Sequence, residues 1–395
     1  MPEGARGDIR NASRLRTALV HHWLVTRRGG EKVFEALFEL FPHADIFTLV
    51  CDRSEFDHVA RGANLHTSWL QVLPGSKRWY PYFLPLFPWA TERLGLAGYD
   101  LVISSDAATL KGVRTDPRSL HICYCHTPMR YLWEGYEAYY SSWSPLVRLA
   151  HRWIGPHLRR WDYDAAQRVT HFVANSRNVA GRIRRTYDRD STVIYPPVDT
   201  EAFSPDLSSR KSEDFFLVVS QLVPYKRVDV AVEAFNRAGK PLVVIGAGPE
   251  FARLRRCALG NVRFLGFQPD IAVQDAMKRC RALVFPGEED FGMVMVEAQA
   301  CGKPVIALGR GGACEVVTDP ATGVLFEQPS VESLREALER FDRLQFDAAA
   351  IRTSALRFTR ARFAQEFSTL VERLLAEWQT GGTDPTPWPY PSRMH

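Results

Sequence analysis

Short apolar runs alternate with stretches of helical periodicity along most of this chain. The run TALVHHWLV at 17–25 ends at a turn, and the following segment 29–41 places its apolar side chains at helical spacing. Uninterrupted apolar runs of this length are typical of parallel strands that are buried on both faces. Further strands of the first half are predicted at 44–52, 99–106, 119–127 and 170–176, and further helices at 147–168 and 176–187.

A second alternating series follows the stretch 195–214, whose proline, serine and charged residues indicate a linker. Its strands are predicted at 215–222, 241–248, 262–267, 281–287, 304–309 and 323–326, with helices near 226–239, 250–259 and 270–280 and after Gly292. Two such series predict an α/β fold with two doubly wound domains. In open sheets of this kind, ligands bind beyond the carboxyl ends of the strands, and the candidate residues below lie at such ends.

The pattern divides the chain into six predicted segments. They are a polar N-terminal segment at 1–16, an N-terminal Rossmann-like domain at 17–200, a linker at 201–214, a C-terminal Rossmann-like domain at 215–365, a helix at 366–379 that packs back near the first domain, and a disordered tail at 380–395.

Composition narrows the class of protein. Apolar residues make up 46% of the 395 residues and charged residues 24%, which is ordinary usage for a globular protein with two cores. The net charge of +5 comes without a long lysine or arginine block, so no nucleic-acid partner is expected. Seven scattered cysteines without a Cys-x-x-Cys pair, and a polar N-terminus without an apolar core, favour a cytoplasmic protein with reduced thiols.

Two carboxylates stand out in the stretch FPGEEDFGMVMVEAQACGKPV. Glu289 precedes a predicted helix, and Glu297 lies inside it among apolar residues. A carboxylate accepts hydrogen bonds from two neighbouring hydroxyls, which sugars and ribose offer, and the backbone N–H groups after Gly292 suit a phosphate. The alternative is that Glu289 caps the helix and Glu297 faces solvent.

Basic and glycine-rich loops follow other predicted strands. Lys226 in SQLVPYKR suits a diphosphate leaving group, although a solvated loop lysine is the alternative. Gly246 and Gly248 form a Gly-x-Gly turn, and Gly29 and Gly30 separate the first strand from the first helix. Both glycine pairs permit close approach of backbone to a ligand, but a tight turn needs them equally.

Two further features have open alternatives. His126 follows a strand end, where it either touches a sugar in the interdomain cleft or is a satisfied core histidine. The segment 76–89 combines two cations with several aromatic residues and suits a lipid headgroup interface, or it is a proline-broken loop packed inside the first domain. The acidic pairs Asp162/Asp164 and Asp188/Asp190 are spaced two apart on helical patterns, where side chains do not face one another, so no metal is expected.

These motifs together resemble the retaining glycosyltransferases of family 4, whose fold is called GT-B. The resemblance rests on Glu-x7-Glu with Phe-Gly inside it, Gly-Lys-Pro after it, LVPYKR, GAGPE and GGACEVV, and it covers roughly 17–375, most specifically 215–320. In the first half, RRGGEKVFE, LPLFPWATERLGLAGYDLVISSD and YCHTPMRYLW resemble a bacterial subgroup described as mannosyltransferases of surface-polysaccharide assembly. The resemblance implies two Rossmann-like domains that face each other across a cleft, with 17–200 as the acceptor domain and 215–365 as the nucleotide-sugar domain.

The resemblance also implies roles for individual residues. The implied catalytic residues are Glu289, His126 and Lys226, with Glu289 on hydroxyls of the transferred sugar, His126 lining the sugar pocket and Lys226 neutralising the diphosphate. The implied donor-binding residues are Gly29, Gly30, Gln221, Lys226, Gly246, Gly248, Gly266, Phe267, Glu289, Phe291, Gly292, Met293, Val294 and Glu297. Glu297 holds the ribose diol, Phe291 to Met293 supply loop backbone, and the loop 265–270 reads the base.

One position departs from the family pattern. The family usually has arginine five residues before the lysine, where this chain has Gln221, so the leaving group depends more on Lys226, on helix N-termini and on Arg227 or Arg130. The expected reaction is metal-independent transfer, with retention, from GDP-mannose to a glycan or lipid-linked acceptor, with 76–89 touching the inner membrane face and no cofactor. A UDP-sugar enzyme of the same fold and a non-catalytic sugar-nucleotide-binding subunit are the alternatives.

Overall fold

The computed structural model describes residues 15–133, 145–205 and 213–380, so most of the predicted terminal segments and part of the linker lie outside the described residues. Within these ranges the strands form two all-parallel sheets, as the alternating pattern predicts. No helix of the described part of the chain has both the length and the apolar character that crossing a membrane requires.

The first sheet has its strands in the order β3-β2-β1-β4-β5-β6-β7. These strands are β1 (Thr17–Leu24), β2 (Asp45–Cys51), β3 (Leu65–Thr67), β4 (Leu101–Asp106), β5 (Leu120–Cys125), β6 (His171–Ala174) and β7 (Ser191–Val193). The register places Leu19 of β1 between Ile46 and Ile103, and all three side chains are fully buried. Helices cover both faces, which is why these central strands are apolar on both sides.

The helices of this domain are α1 (Gly29–Leu40), α2 (Asp57–Gly62), α3 (Ser76–Trp79), α4 (Phe87–Glu92), α5 (Pro145–Gln167) and α6 (Arg177–Tyr187). Short 3₁₀ segments lie at Trp69–Val72, Tyr80–Leu86 and Leu110–Gly112. The short helices between β3 and β4 were not predicted, because their prolines and brief apolar runs carry no sustained helical period.

The second sheet has the order β10-β9-β8-β11-β12-β13. Its strands are β8 (Phe216–Val219), β9 (Leu242–Ile245), β10 (Val262–Gly266), β11 (Ala282–Phe285), β12 (Val305–Leu308) and β13 (Gly323–Phe326). Its helices are α7 (Val228–Ala238), α8 (Phe251–Cys257), α9 (Asp270–Arg279), α10 (Met293–Ala300), α11 (Ala313–Val316), α12 (Val331–Asp342) and α13 (Ala348–Ala355), with 3₁₀ turns at Pro224–Lys226 and Leu356–Phe358. The strand order reverses between β8 and β11, so a crevice opens there for a ligand.

The last helix, α14 (Arg360–Thr380), returns to the first domain. Phe363 and Phe367 stack on each other at 5.7 Å and meet Tyr124 and Phe41 at their edges. The predicted start at 366 is wrong, since the hydroxyl of Thr359 accepts the Arg362 N–H at 3.2 Å and caps an earlier first turn.

Candidate active site

The loop after β11 carries the first candidate carboxylate. Glu289 is partly buried, and its side chain forms an ion pair with Lys226, which ends the 3₁₀ turn after β8. A Cβ on Gly287 would lie 2.7 Å from the carbonyl oxygen of Lys226, so the two loops pack in direct contact. The fold thus joins two residues that lie 63 positions apart in sequence.

The charge state of this pair follows from its surroundings. Burial alone would raise the pKa of Glu289, but Lys226 and then Arg130 more than offset burial and hold that pKa below its ordinary value. Glu289 is therefore an ionised carboxylate at neutral pH, able to accept hydrogen bonds from hydroxyl groups.

Glu297 lies within α10 and is 8% exposed. The alternative that it simply faces solvent is wrong, because its carboxylate oxygen accepts a hydrogen bond from Lys32 of α1 at 3.1 Å, across the interdomain cleft. The N-termini of α1 and α10 also meet here, and a Cβ on Gly29 would lie 3.3 Å from the sulfur of Met293. Two helix N-termini with exposed N–H groups therefore share one end of the cleft.

The glycines at this end serve different purposes. Gly292 has φ 86° and precedes α10, so a residue with a side chain would be strained there. Gly29 and Gly30 are the first residues of α1 rather than a turn before it. Gly30 faces the imidazole of His126, whose ring lies 3.8 Å from the position of a Cβ on that glycine.

The Gly-x-Gly turn after β9 has a packing role. Gly246 and Gly248 have φ of 145° and 158°, and a Cβ on either would collide with the carbonyl oxygens of Ser220 and Leu222 respectively. These contacts explain why both positions need glycine, and the expectation that the glycines also serve close approach of a ligand stays a prediction.

His126 directly follows β5, and its ring lies beside Gly30 of α1. Its Nε2 lies 2.8 Å from the hydroxyl of Ser105, which in turn lies 3.1 Å from Nδ1 of His21. The side-chain amide of Asn175 donates to the carbonyl oxygen of His126 at 3.0 Å. Burial, reinforced by neighbouring histidines, lowers the pKa of His126 to about 3, so the ring is neutral at neutral pH.

The remaining predicted donor residues lie in different environments. Gln221 is exposed, and Phe267 at the end of β10 is 79% exposed beside Gly266, which has φ 71°. The side chain of Phe291 is buried between Tyr195 and Phe358, so only its backbone is available to a ligand. Met293 and Val294 are half-buried in the first turn of α10. The ligand roles of these residues stay predictions.

Asp290 and Arg182, which lie beside this centre, had no role in the predictions from sequence, and Arg130 entered them only as a cation for the leaving group. Asp290 is 8% exposed and receives hydrogen bonds from Arg130 and Arg182 of the first domain, each at 2.6 Å. The only sequence signal was an arginine on the apolar face of α6, where Arg182 lies between the positions of Val179 and Ile183. The acidic pairs are in ordinary ion pairs: Asp162 contacts Lys111 at 2.6 Å, and Asp190 contacts Arg184 at 2.9 Å.

Comparison with known proteins adds two family matches. Residues 20–202 match the model of Glycosyltransferase Family 4, and residues 199–355 match the model of Glycosyl transferases group 1.

Several curated relatives are similar over part of their length. The chain is 30% identical over 171 residues to an uncharacterized glycosyltransferase of Methanocaldococcus jannaschii, covering 42% of this chain and 48% of the relative. It is 37% identical over 161 residues to a GDP-mannose-dependent monoacylated alpha-(1-6)-phosphatidylinositol monomannoside mannosyltransferase of Corynebacterium glutamicum, covering 36% of this chain and 41% of the relative. The chain thus spans less than half the length of each of these relatives.

Solved structures share the fold over nearly the whole chain. Sucrose-phosphate synthase from Thermosynechococcus elongatus superposes with a TM-score of 0.67 at 18% identity, covering 92% of this chain and 100% of that one. Anabaena HepE in complex with UDP and glucose superposes with a TM-score of 0.65 at 17% identity, covering 91% and 100%. These likenesses confirm the prediction of a GT-B fold with two Rossmann-like halves.

Proposed function

Because the chain carries a glycosyltransferase family 4 domain followed by a glycosyl transferases group 1 domain, we propose that it transfers a sugar from a nucleotide sugar to a glycan or lipid-linked acceptor. The observation that carries this proposal is the Lys226–Glu289 ion pair, held at adjacent strand ends beside Glu297. In such a donor, the cation of Lys226 suits the diphosphate, the carboxylate of Glu289 suits the sugar hydroxyls, and the carboxylate of Glu297 on the neighbouring helix suits the ribose.

The proposed mechanism follows from charge. Breaking the sugar–phosphate bond leaves an anionic diphosphate and an oxocarbenium-like sugar. Lys226 and the N-termini of α1 and α10 stabilise the anion, while Glu289 holds the sugar hydroxyls in place. The acceptor attacks the face that the phosphate leaves, its proton passes to the leaving phosphate, and the anomeric configuration is retained. Protein cations supply the charge stabilisation, so this mechanism requires no metal.

GDP-mannose is the proposed donor and a lipid-linked or surface-polysaccharide glycan the proposed acceptor. The GDP-mannose dependence of the Corynebacterium relative supports GDP-mannose as the donor. A second relative, the D-inositol 3-phosphate glycosyltransferase of Mycobacteroides abscessus, is 27% identical over 198 residues, which cover 44% of each chain. Its name indicates that relatives use other acceptors. The test is a panel of GDP- and UDP-sugars scored by nucleoside diphosphate release and by transfer to lipid extracts. Release of GDP from GDP-mannose, and from no other donor of the panel, supports the proposal. Turnover restricted to UDP-sugars would exclude GDP-mannose as the donor.

A non-catalytic sugar-nucleotide-binding subunit is the second candidate, because exposed Gln221 replaces the family's cation. Calorimetric binding of a nucleotide sugar without release of diphosphate in the same panel would establish it. The buried ion pair of Lys226 with Glu289 favours the enzyme, since a binding subunit has no need to stabilise developing charge.

Glu297→Ala is expected to raise the donor KM about tenfold or more with little change in kcat. The reason is that hydrogen bonds from a ribose diol to a carboxylate are charge-assisted, and the ribose lies away from the reacting bond. The measurement is initial rate against donor concentration. Glu332→Ala, an exposed change on α12, is the matched control. Unchanged KM and kcat in Glu297→Ala would remove the ribose assignment.

The segment 76–89 has an exposed aromatic surface beside the cleft. Tyr80 and Phe87 are buried in the first core, whereas Trp79, Tyr82 and Trp89 are 48%, 73% and 49% exposed. The ring of Tyr80 packs 4.9 Å from Trp23 at the end of β1, so this surface adjoins the loop that leads to Gly29. We propose that it contacts an anionic membrane surface from which a lipid-linked acceptor reaches the cleft.

The double variant Trp79→Ser/Trp89→Ser is expected to sediment several-fold less with phosphatidylglycerol–phosphatidylcholine vesicles. Removing two indoles takes away the apolar part of the contact, while Lys77 and Arg78 keep a weaker, salt-sensitive part. Trp378→Ser on α14, also a partly exposed tryptophan, is the control. Equal sedimentation of wild type and double variant would show that this surface does not contact the membrane.

A further inference from the structure

We propose that Asp290 is a positioning residue that ties contact between the two domains to the placement of the Glu289 carboxylate. This inference rests on the proposed function, in which Glu289 holds the transferred sugar. We call Asp290, Arg130, Arg182 and Ser176 the Asp290 clamp. Asp290 belongs to the second domain, and the other three belong to the first.

The clamp is a set of short contacts to one buried carboxylate. Arg130 donates from Nη2 at 2.6 Å and from Nε at 3.1 Å to one oxygen of Asp290, and Arg182 donates from Nη1 to the other at 2.6 Å. Ser176 donates to the backbone carbonyl oxygen of Asp290 at 2.7 Å. Both carboxylate oxygens and the main chain of Asp290 are therefore held by the first domain. Charge-assisted contacts of this geometry fix orientation as well as distance.

The clamp also contacts the second donor loop. The guanidinium of Arg130 lies 5.6 Å from the ring centroid of Tyr225, which directly precedes Lys226. One arginine of the first domain thus contacts the loop of Glu289 and the loop of Lys226 together. The two residues that form the proposed catalytic pair are each adjacent in sequence to a residue that Arg130 contacts.

A further contact between the domains holds α6 in its orientation. The carboxylate of Glu315 accepts hydrogen bonds from the backbone N–H groups of Arg177 and Asn178, each at 2.9 Å, and from the hydroxyl of Tyr195 at 3.0 Å. A carboxylate of the second domain thereby satisfies N–H groups at the N-terminus of α6, the helix that carries Arg182.

The consequence concerns Glu289, which is joined to Asp290 by a peptide bond. Its backbone carbonyl oxygen accepts the Gly312 N–H at 2.8 Å, and its side chain contacts Lys226, so Asp290 supplies a further constraint on this turn. Arg130 and Arg182 also contribute to keeping Glu289 ionised. Separation of the domains would remove both arginines, leaving the donor-binding residues of the second domain intact but Glu289 less constrained.

The test is Asp290→Asn, which keeps the size of the side chain and removes its charge. We expect kcat to fall about 10- to 100-fold, a loss typical of misplaced catalytic groups, while the donor KM and nucleotide affinity change less than about threefold. Small-angle X-ray scattering should show a larger radius of gyration than for wild type. Arg182→Met should reproduce both effects. The double variant Asp290→Asn/Arg182→Met should lower kcat no further than either single variant does. Asp275→Asn, an exposed ion-paired aspartate on α9, is the control.

Each outcome decides the proposal. A raised KM at unchanged kcat would make Asp290 a donor-binding residue, and a lowered kcat with an unchanged radius of gyration and additive variants would remove the coupling between domains. If Asp290→Asn does not fold, Arg130→Lys keeps the charge but loses the forked geometry, and the same kcat and scattering measurements apply. If wild type turns over no donor, the proposed function fails, while scattering and nucleotide binding still show whether the clamp holds the domains together.

Discussion

Glu289→Gln is expected to lower kcat on the preferred donor by about 10³-fold, which corresponds to roughly 4 kcal/mol of lost transition-state stabilisation. The carboxylate is ionised and contacts Lys226, and in the proposed mechanism it lies beside the sugar on which positive charge develops. An amide of the same size keeps part of the hydrogen bonding to hydroxyls but cannot balance that charge. The donor KM should change much less than kcat, because the missing interaction is strongest in the transition state.

The matched control for this experiment is Glu233→Gln on α7. Glu233 is 44% exposed and pairs with Arg237 of the same helix, so its loss should change kcat by less than about threefold. A Glu289→Gln variant that retains wild-type turnover while keeping its melting temperature would show that this carboxylate does not serve the transferred sugar.

The central strands were predictable because they are buried on both faces. Leu19, Ile103 and Val284 lie in uninterrupted apolar runs, and such runs arise when helices cover both sides of a parallel sheet. The edge strands β3 and β7 were not predicted, since each has three residues that are mostly half-buried or exposed and therefore carries no apolar run. Helix α12 was also missed, although Leu334, Leu338 and Phe341 follow a helical period.

The contact between Lys226 and Glu289 was predictable for a topological reason. In a doubly wound sheet the loops after β8 and β11 flank the reversal of strand order, so Lys226 and Glu289 had to lie near one another. The glycine pair at 246 and 248 was picked out from its position after a strand, whereas its close contact with the carbonyl oxygens of a neighbouring loop is something that no local pattern reveals.

The Asp290 clamp lies beyond what the sequence pattern reveals. Arg130 and Asp290 are separated by 160 positions and belong to different domains, so their contact depends on how the two domains sit against each other. Periodicity reports which face of an element is buried, but it does not report which element of another domain covers it. The pairing of Lys32 with Glu297, 265 positions apart, was missed for the same reason.

Lys226→Met is expected to lower kcat by about 10²- to 10³-fold and to raise the donor KM as well. The lysine is 15% exposed, and with Gln221 at the position of the family's usual arginine it is the cation on which the proposed leaving group depends most. Removing a preorganised charge at the site where negative charge develops costs about 3–4 kcal/mol in the transition state. Both parameters change because the diphosphate is anionic before the bond breaks and more so afterwards.

Two further variants separate this role from a structural one. Lys226→Arg keeps the charge and should recover part of kcat, whereas a purely structural lysine would tolerate neither change. Lys240→Met, which removes a partly exposed lysine paired with Asp342, controls for loss of surface charge and should leave kcat unchanged. Installing the family's cation through Gln221→Arg in the Lys226→Met background tests the argument most directly. Rescue of donor KM and kcat would show that position 221 faces the diphosphate, and no rescue would mean that this chain neutralises its leaving group through Lys226 and the two helix N-termini alone.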